Sequence, residues 1–260
     1  MTAVVGNEAC RVPYARNLVC LHGFMGNAAD WDPLRELLPD VELLPPELPG
    51  HGVREVDDAF TFESVAEDLL ASMDAAGLER PHLLGYSLGG RLALYLACRH
   101  PDRFASLILE SASPGLDGGE EQRLRCMVDD ARAETLRSIP LKTFLEDWYR
   151  QPLFASLDHR SDLREELVER RLKNNPSALA QAISSLSPGR QPSLWSDLEK
   201  VSCPVLLIAG ELDRKYTSLA MAMEEALPMA ELSLVDGAGH CVHAEHPYEM
   251  AHRIQRFLKG

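Results

Sequence analysis

The sequence predicts an α/β fold, in which helices flank a mostly parallel central sheet and an all-helical segment is inserted. Short apolar runs alternate with helical patterns along most of the chain, which is typical of a parallel sheet covered by helices. Residues 117–195 differ, because they are charge-dense and helical and contain few β-branched residues. We therefore expect a first part of the core at 1–116, a helical lid at 117–195 and a second part of the core at 196–260.

Each strand of this sheet is predicted from a short apolar run that is closed by turn residues. The runs lie at 17–21, 41–44, 81–84, 106–109, 205–209 and 232–235. Helical patterns lie at about 61–76, from the residues after 87 to His100, and at about 247–258. In such folds the loops after the strands form one edge of the sheet, where ligands bind.

The charge balance excludes several classes of function. The 260 residues include 26 Lys and Arg against 40 Asp and Glu, a formal net charge of −14. This field repels phosphate backbones and anionic membranes, so we expect no nucleic-acid partner and no membrane association. There is no run of 18 apolar residues, the start lacks a secretory pattern, and the six cysteines are scattered. These features predict a cytoplasmic protein and leave its oligomeric state open.

The motif Gly85-Tyr-Ser-Leu-Gly-Gly90, between a strand and a helix, predicts a nucleophilic serine at Ser87. A nucleophile on a sharp strand-to-helix turn needs small neighbours, because the turn strains the serine and crowds the flanking backbone. Gly85 and Gly89 meet this need, and Gly90 lets the helix pack closely on the sheet. The N-terminus of the helix also places partial positive charge beside Ser87.

Two further residues follow apolar strands in the order that such a serine requires. Asp213 lies in the loop after 205–209, and His240 lies in the loop after 232–235. The order serine, acid, histidine predicts that His240 takes the proton of Ser87 and that Asp213 orients the imidazole ring.

The segment Leu21-His-Gly-Phe-Met-Gly26 supplies the expected remaining part of the site. The glycine after the strand lets the chain turn, so the backbone N–H of Phe24 can join that of Leu88 in an oxyanion hole. We expect His22 to brace this loop and to have no chemical role.

Several motifs together resemble the α/β-hydrolase superfamily over the whole chain. They are Leu21-His-Gly-Phe-Met-Gly26, Leu48-Pro-Gly-His-Gly52, the serine turn and Gly237-Ala-Gly-His240. Other segments are similar to one branch, the 2-succinyl-6-hydroxy-2,4-cyclohexadiene-1-carboxylate synthases of menaquinone and phylloquinone biosynthesis. These segments are Gly85–Arg91, Asp147–Leu157, Asn174–Pro176, Gln191–Trp195 and Gly210–Tyr216. The motif around Trp148 is the most discriminating, because lids diverge widely across the superfamily.

The resemblance implies an elimination, not a hydrolysis. Enzymes of this branch remove pyruvate from 2-succinyl-5-enolpyruvyl-6-hydroxy-3-cyclohexene-1-carboxylate, a small polycarboxylate, without a metal or an organic cofactor. Ser87 and His240 would act as a base on a ring proton, and the oxyanion hole would stabilise the enolate on the succinyl carbonyl. His243 and His246 follow His240 at intervals of three, but the loop context and Pro247 argue against a metal site.

Such a substrate requires cations in the site. Arg91 lies four residues after Ser87, one turn into the helix, so both side chains can face one pocket. In the lid, Arg125 and Arg171 best match the carboxylate-binding arginines of the family. Guanidinium groups suit carboxylates because they donate two parallel hydrogen bonds.

Some assignments in the lid leave alternatives open. Arg123 competes with Arg125 and Arg170 with Arg171, because the flanking spacing is only partly constrained. Tyr86 and Trp148 are expected to line the pocket, although Tyr86 could simply pack beside the serine and Trp148 could be lid core. Lys215 is a weaker cationic candidate.

Two other functions compete with the elimination. A serine hydrolase would use the same three residues on an ester, a thioester or a carbon–carbon bond, with acylation of Ser87. A ligand receptor that retains the fold would signal through its lid; the complete set of catalytic residues argues against this reading.

Overall fold

The computed structural model describes residues 17–54, 56 and 60–259. Cys10 and residues 1–16, on which the expectation about a secretory signal rests, lie outside the described residues. Within the described ranges, no helix has the length and apolar character needed to cross a membrane. The other five cysteines are free thiols, and all but Cys126 are buried.

A six-stranded sheet forms the centre of the molecule, and all its strand pairs are parallel. Its strands are β1 (Asn17–Leu21), β2 (Glu42–Leu44), β3 (His82–Tyr86), β4 (Ser106–Glu110), β5 (Val205–Gly210) and β6 (Ala230–Val235). The spatial order is β2-β1-β3-β4-β5-β6. The chain thus adds β2 on one side of β1 and all later strands on the other side. Ligands of open α/β sheets bind beyond the strand ends at such a reversal of strand order. The predicted fold class and all six predicted strands are confirmed.

Helices cover both faces of the sheet. The α-helices are α1 (Asp32–Leu37), α2 (Phe62–Ala75), α3 (Leu88–Arg99), α4 (Gly119–Ser138), α5 (Leu141–Trp148), α6 (Ser161–Arg171), α7 (Pro176–Ser185), α8 (Arg214–Ala226), α9 (Val242–Glu245) and α10 (Pro247–Lys259). In the described part of the chain, 3₁₀ helices span Ala28–Trp31, Pro152–His159 and Trp195–Lys200. The predicted helices correspond to α2, α3 and α10, whereas α1, α8 and α9 were not predicted.

Two apolar clusters hold these layers together. One packs side chains of α2, α3 and α8, such as Phe62, Leu92 and Met223, against one face of the sheet. The other packs α1 and α10, through Leu34 and Ile254, against the opposite face. The central strands β1, β3, β4 and β5 are buried on both faces and are mostly apolar, which is why the sequence reveals them.

The segment between β4 and β5, residues 111–204, is called the helical insertion below. It contains α4 to α7 and two 3₁₀ helices, with no strand in its described structure. Its own small core includes Leu136, Phe144 and Leu179, and this core also contacts Met25 in the loop after β1. The insertion is thereby packed against the edge of the sheet where the strands end.

Candidate active site

Ser87 occupies a strained turn between the last residue of β3 and the first residue of α3. Its backbone has φ 49° and ψ −105°, a conformation that residues with a side chain rarely adopt. Hydrogen bonds hold the turn, since the Ser87 N–H donates to the Glu110 carbonyl at 2.9 Å and the Arg91 N–H donates to the Ser87 carbonyl at 2.9 Å. The turn therefore presents the serine hydroxyl at the carboxyl edge of the sheet.

The glycines around Ser87 are required by close backbone contacts. A Cβ atom on Gly89 would lie 2.1 Å from the Leu21 carbonyl oxygen, and one on Gly85 would lie 2.4 Å from the Gly89 carbonyl oxygen. A Cβ on Gly90 would approach the Cβ of Ala112 to 2.7 Å. Any side chain at these positions would push α3 away from the sheet and displace the serine.

His240 contacts both Ser87 and Asp213. Its Nδ1 lies 2.7 Å from Asp213 Oδ2, and its Nε2 lies 3.2 Å from Ser87 Oγ. An ionised Asp213 only accepts hydrogen bonds, so Nδ1 carries a proton and Nε2 of the neutral ring can accept the proton of Ser87. This arrangement can activate the hydroxyl oxygen as a base or as a nucleophile.

Neighbouring groups fix the histidine and the aspartate. The backbone N–H of Tyr216 donates to the second oxygen of Asp213 at 3.2 Å, and the Ser111 hydroxyl donates to the His240 carbonyl at 3.0 Å. Aromatic rings of Tyr86, Phe154 and Tyr216 lie 4.6–5.8 Å from the His240 ring, measured between centroids. The imidazole is therefore confined to one orientation.

A cavity of about 520 Å³ opens beside Ser87. This volume lies in the usual range for sites that bind small molecules. Seven of the residues proposed from the sequence line it, together with Lys215. They are Phe24, Ser87, Leu88, Arg91, Arg125, Trp148 and Asp213.

The lining of this cavity is rich in cations. Its basic members are Arg91, Arg125, Arg132, Arg214 and Lys215, against the acidic Asp129 and Asp213. Burial lowers the pKa of Arg91 to about 10, which leaves it charged at neutral pH. Burial and the nearby Arg125 also lower the pKa of Lys215. The excess of positive charge suits a ligand with more than one carboxylate.

Arg91 links the serine turn to the helical insertion. Its guanidinium donates to the Gln191 Oε1 atom at 2.9 Å and to the Leu186 carbonyl at 2.7 Å. Only 8% of this residue is exposed. Arg91 is thus a structural contact as well as part of the cavity wall.

The structure does not bring Arg171 to the cavity. Its guanidinium is buried and donates to Asp30 Oδ1 at 2.6 Å, and its pKa is raised because interactions with Tyr149 and Asp30 outweigh burial. The alternative residue, Arg170, also pairs with Asp30 and in addition with Glu166. A buried carboxylate 141 residues earlier in the chain therefore engages the arginine expected to bind substrate.

Tyr86 is also absent from the cavity lining that the structure describes. Its hydroxyl lies 2.8 Å from Cys241 Sγ, and its ring packs between those of His240 and His243. Tyr86 thus supports His240 from behind, as in the packing alternative. By contrast, Trp148 does line the cavity.

The structure places Arg125, and not Arg123, in the described cavity lining. The Arg123 side chain is 69% exposed and lies 4.0 Å from Glu120, whereas Arg125 lines the cavity. Sequence reasoning missed Arg132, although the spacing of positions 125, 129 and 132 places them on one helix face. It also missed Arg214, for which the sequence holds no comparable signal.

The other histidines near the site have different partners. The Nδ1 of His22 donates to the Gly23 carbonyl at 2.9 Å, while its Nε2 accepts the Leu48 N–H at 3.1 Å. Burial lowers the pKa of His22 to about 4, so the ring is neutral and braces the loop. His243 Nδ1 lies 2.9 Å from both oxygens of the buried Glu110. Among the described residues, no group of three or more histidine, cysteine or acidic side chains could hold a metal ion.

The parallel sheet flanked by helices is the fold of one large class of α/β proteins. A family model described as "Alpha/beta hydrolase family" matches residues 18–253. An esterase from Thermogutta terrifontis, 24% identical with a TM-score of 0.82, shares the fold over 94% of this chain and 89% of its own.

More similar proteins carry one particular name. The 2-succinyl-6-hydroxy-2,4-cyclohexadiene-1-carboxylate synthase of Pectobacterium atrosepticum is 38% identical over 93% of this chain and 93% of its own length. The synthase of Serratia proteamaculans is 35% identical, with coverage of 93% and 92%. The structure of MenH from S. aureus is 33% identical with a TM-score of 0.90, and the match covers 96% of this chain and 95% of that one. The chain belongs to the alpha/beta hydrolase family and, within it, to the family of these synthases.

Proposed function

We propose that the chain is a lyase that eliminates pyruvate from 2-succinyl-5-enolpyruvyl-6-hydroxy-3-cyclohexene-1-carboxylate. The product would be 2-succinyl-6-hydroxy-2,4-cyclohexadiene-1-carboxylate, and no cofactor takes part in the proposed reaction. The observation that carries this proposal is the Ser87–His240 contact beside a cavity lined by five cationic side chains. A polycarboxylate substrate needs that charge, whereas a neutral ester does not.

In the proposed mechanism, Ser87 and His240 act together as the base. As His240 Nε2 takes the hydroxyl proton, the serine oxygen removes a proton from the substrate ring next to the succinyl carbonyl. The electron pair moves onto the carbonyl oxygen and then returns to form a C2–C3 double bond. The existing C3–C4 double bond of the ring shifts to C4–C5 at the same time and expels the enolpyruvyl oxygen from C5. The leaving enolpyruvate takes the proton that His240 holds and becomes pyruvate, so the free base is restored and the reaction consumes no water. Asp213 supports the protonated His240 through the 2.7 Å contact.

Backbone N–H groups of Phe24 and Leu88 would stabilise the enolate oxygen. Both residues line the cavity beside Ser87. Leu88 is the first residue of α3, and the N–H groups of the first helical turn have no partner within the helix. Partial positive charge at this helix end favours a developing oxyanion.

The helical insertion is proposed to act as the lid of the site. It contributes Arg125, Arg132 and Trp148 to the cavity, while the core contributes Ser87 and Arg91. A lid built this way would exclude water from the enolate and would surround the substrate carboxylates with fixed cations.

The second candidate function is hydrolysis by the same residues. The strained serine and the polarised histidine suit acyl transfer equally well, and esterases share the fold. Hydrolysis would require an acyl intermediate on Ser87 and a water molecule that reaches it.

Pyruvate release from the enolpyruvyl substrate tests the proposal directly. We expect turnover by the wild-type chain, equal rates with and without a chelator, and a loss of about 10²–10⁴-fold in kcat for Ser87→Ala. Ser202→Ala is the matched control, because Ser202 is exposed and lies before the amino end of β5, at the opposite edge of the sheet. Absence of pyruvate, together with Ser87-dependent turnover of activated esters, would favour the hydrolase instead.

A further inference from the structure

A fully buried carboxylate organises two arginines in the cavity wall. Asp129 in α4 has no exposed surface. Its Oδ2 accepts from Arg125 Nε at 2.7 Å and from the Ser187 hydroxyl at 2.7 Å, and its Oδ1 accepts from Arg132 at 3.0 Å. All three α4 residues line the cavity. The carboxylate thus holds two guanidinium groups side by side on one helix face.

Arg132 is held by more than this ion pair. Its second terminal nitrogen donates to Gln151 Oε1 at 2.9 Å, and its guanidinium carbon lies 5.3 Å from the centre of a Trp148 ring. About 31% of the side chain remains exposed, at the cavity. An arginine fixed by three neighbours loses little side-chain entropy when a ligand binds, which favours affinity.

Both arginines keep hydrogen-bond donors for a ligand. Arg125 uses only Nε for Asp129, and its two terminal amino groups have no other hydrogen bond in the described part of the chain. Arg132 uses one hydrogen on each terminal nitrogen, and each nitrogen carries two. These donors suit the two oxygens of one carboxylate.

The charges of this group also match a single carboxylate. Arg125 and Arg132 contribute two positive charges and Asp129 one negative charge, which leaves an excess of one. A bound carboxylate neutralises the group, so it avoids the cost of an unpaired charge in a partly buried site. Removal of Arg132 would leave a neutral Arg125–Asp129 pair with little attraction for an anion.

We propose that Arg132 is a substrate-binding residue that receives, together with Arg125, one carboxylate of the substrate. The other cations of the cavity, Arg91, Arg214 and Lys215, come from α3 and α8 and remain for the other anionic groups. This inference rests on the proposed function, which supplies the polycarboxylate substrate.

The proposed role of Arg132 can be tested without turnover, by calorimetric measurement of the binding of three stable ligands. 2-Succinylbenzoate is an aromatic counterpart of the product with both the ring and the succinyl carboxylate. 2-Butanoylbenzoate lacks the succinyl carboxylate, and 4-oxo-4-phenylbutanoate lacks the ring carboxylate. We expect Arg132→Gln to raise the Kd of the diacid about tenfold, which is about 1.4 kcal/mol. One monoacid, the one without the carboxylate held by Arg132, should bind the variant as it binds the wild type.

Matched variants separate charge recognition from a general loosening of the insertion. Arg137→Gln is the control, since Arg137 lies in the last turn of α4, is 42% exposed and pairs with Glu134 outside the cavity. Arg132→Lys keeps the charge and should recover part of the diacid affinity. An unchanged diacid Kd in Arg132→Gln, or equal weakening of all three ligands, would overturn the inference.

The turnover assay distinguishes failure of the proposed elimination from failure of the proposed role of Arg132. If the wild-type chain releases pyruvate, Arg132→Gln should raise KM about tenfold and change kcat by less than about threefold. If the chain releases pyruvate but Arg132→Gln leaves the Kd of the diacid unchanged, only the role of Arg132 is refuted. A chain that binds the diacid through Arg132 but releases no pyruvate refutes only the elimination, and a wild-type chain that binds none of the ligands refutes the inference itself.

Discussion

Glu245 accepts hydrogen bonds from the backbone N–H groups on both sides of His240. Its Oε2 lies 3.0 Å from the Gly239 nitrogen, and its Oε1 lies 3.1 Å from the Cys241 nitrogen. The Glu245 residue is only 4% exposed. Because both oxygens are used, the carboxylate fixes the backbone of the histidine and thereby the distance from its ring to Ser87.

We expect Glu245→Gln to lower kcat about tenfold with little change in KM. A glutamine has one acceptor oxygen, so one of the two buried N–H groups would face an NH₂ group and lose its partner, at a cost of about 1–3 kcal/mol. Pyruvate release at varied substrate concentration measures both constants. Glu249→Gln is the control, because Glu249 is exposed on α10 and pairs with Arg253. A normal kcat in Glu245→Gln would show that the loop holds its position without the carboxylate.

Gly89→Ala should abolish activity and destabilise the fold. The new Cβ would lie 2.1 Å from the Leu21 carbonyl oxygen, and the nearest atoms all belong to the backbone of Leu21 and His22, which cannot move aside as a flexible side chain can. Overpacking of this kind costs about 1–3 kcal/mol or more. Gly118→Ala is the matched control, since nothing lies within 4 Å of its Cβ position. Thermal unfolding and pyruvate release should separate the two variants; similar melting temperatures would contradict the tight packing of α3 against β1.

The features that the structure places where the sequence predicts them have a local physical cause. Parallel strands buried on both faces appear as unbroken apolar runs, and a strained serine turn needs glycines at short, fixed intervals. Asp213 and its partner His240 follow β5 and β6. They lie close together because parallel strands all end at one edge of the sheet.

The side chains that the structure places elsewhere than expected depend on contacts between distant segments. The resemblance predicts that Arg171 lies at the site, but its guanidinium pairs with Asp30, which precedes it by 141 residues. Likewise, the hydroxyl of Tyr86 contacts Cys241, the residue before α9, and α9 was not predicted. The short helices α1 and α9 carry too few residues for a periodic pattern to be read.

Arg91→Met should impair the elimination more than the hydrolysis of a neutral activated ester. The variant loses a cation of the cavity, and it also leaves the Leu186 carbonyl and the Gln191 side chain without their donor. We therefore expect a KM for the polycarboxylate raised at least about tenfold and a stability loss of about 1–3 kcal/mol. The ratio of the two activities, measured below the unfolding temperature, checks the cavity role. Equal losses on both substrates would indicate damage to the serine turn itself.

Two buried histidines make the stability sensitive to mild acid. Burial lowers the pKa of His22 to about 4 and that of His51 to about 3, and their rings meet at 5.1 Å between centroids. In the unfolded chain both titrate near 6.5. Between pH 4 and pH 6.5 the unfolded chain binds protons at these histidines and the folded chain does not. The contribution of the neutral histidines to the free energy of unfolding is therefore complete above about pH 6.5 and is lost as the pH falls towards 4.

We expect the free energy of unfolding to fall by about 2 kcal/mol per histidine between pH 7 and pH 5. Denaturant titrations at several pH values measure this slope. His51→Gln removes one titrating ring and should reduce the slope by about half, whereas His252→Gln, at an exposed position in α10, should leave it unchanged. A slope that is the same in His51→Gln and in the wild type would mean that His51 takes up its proton in the folded state, in conflict with its burial beside His22.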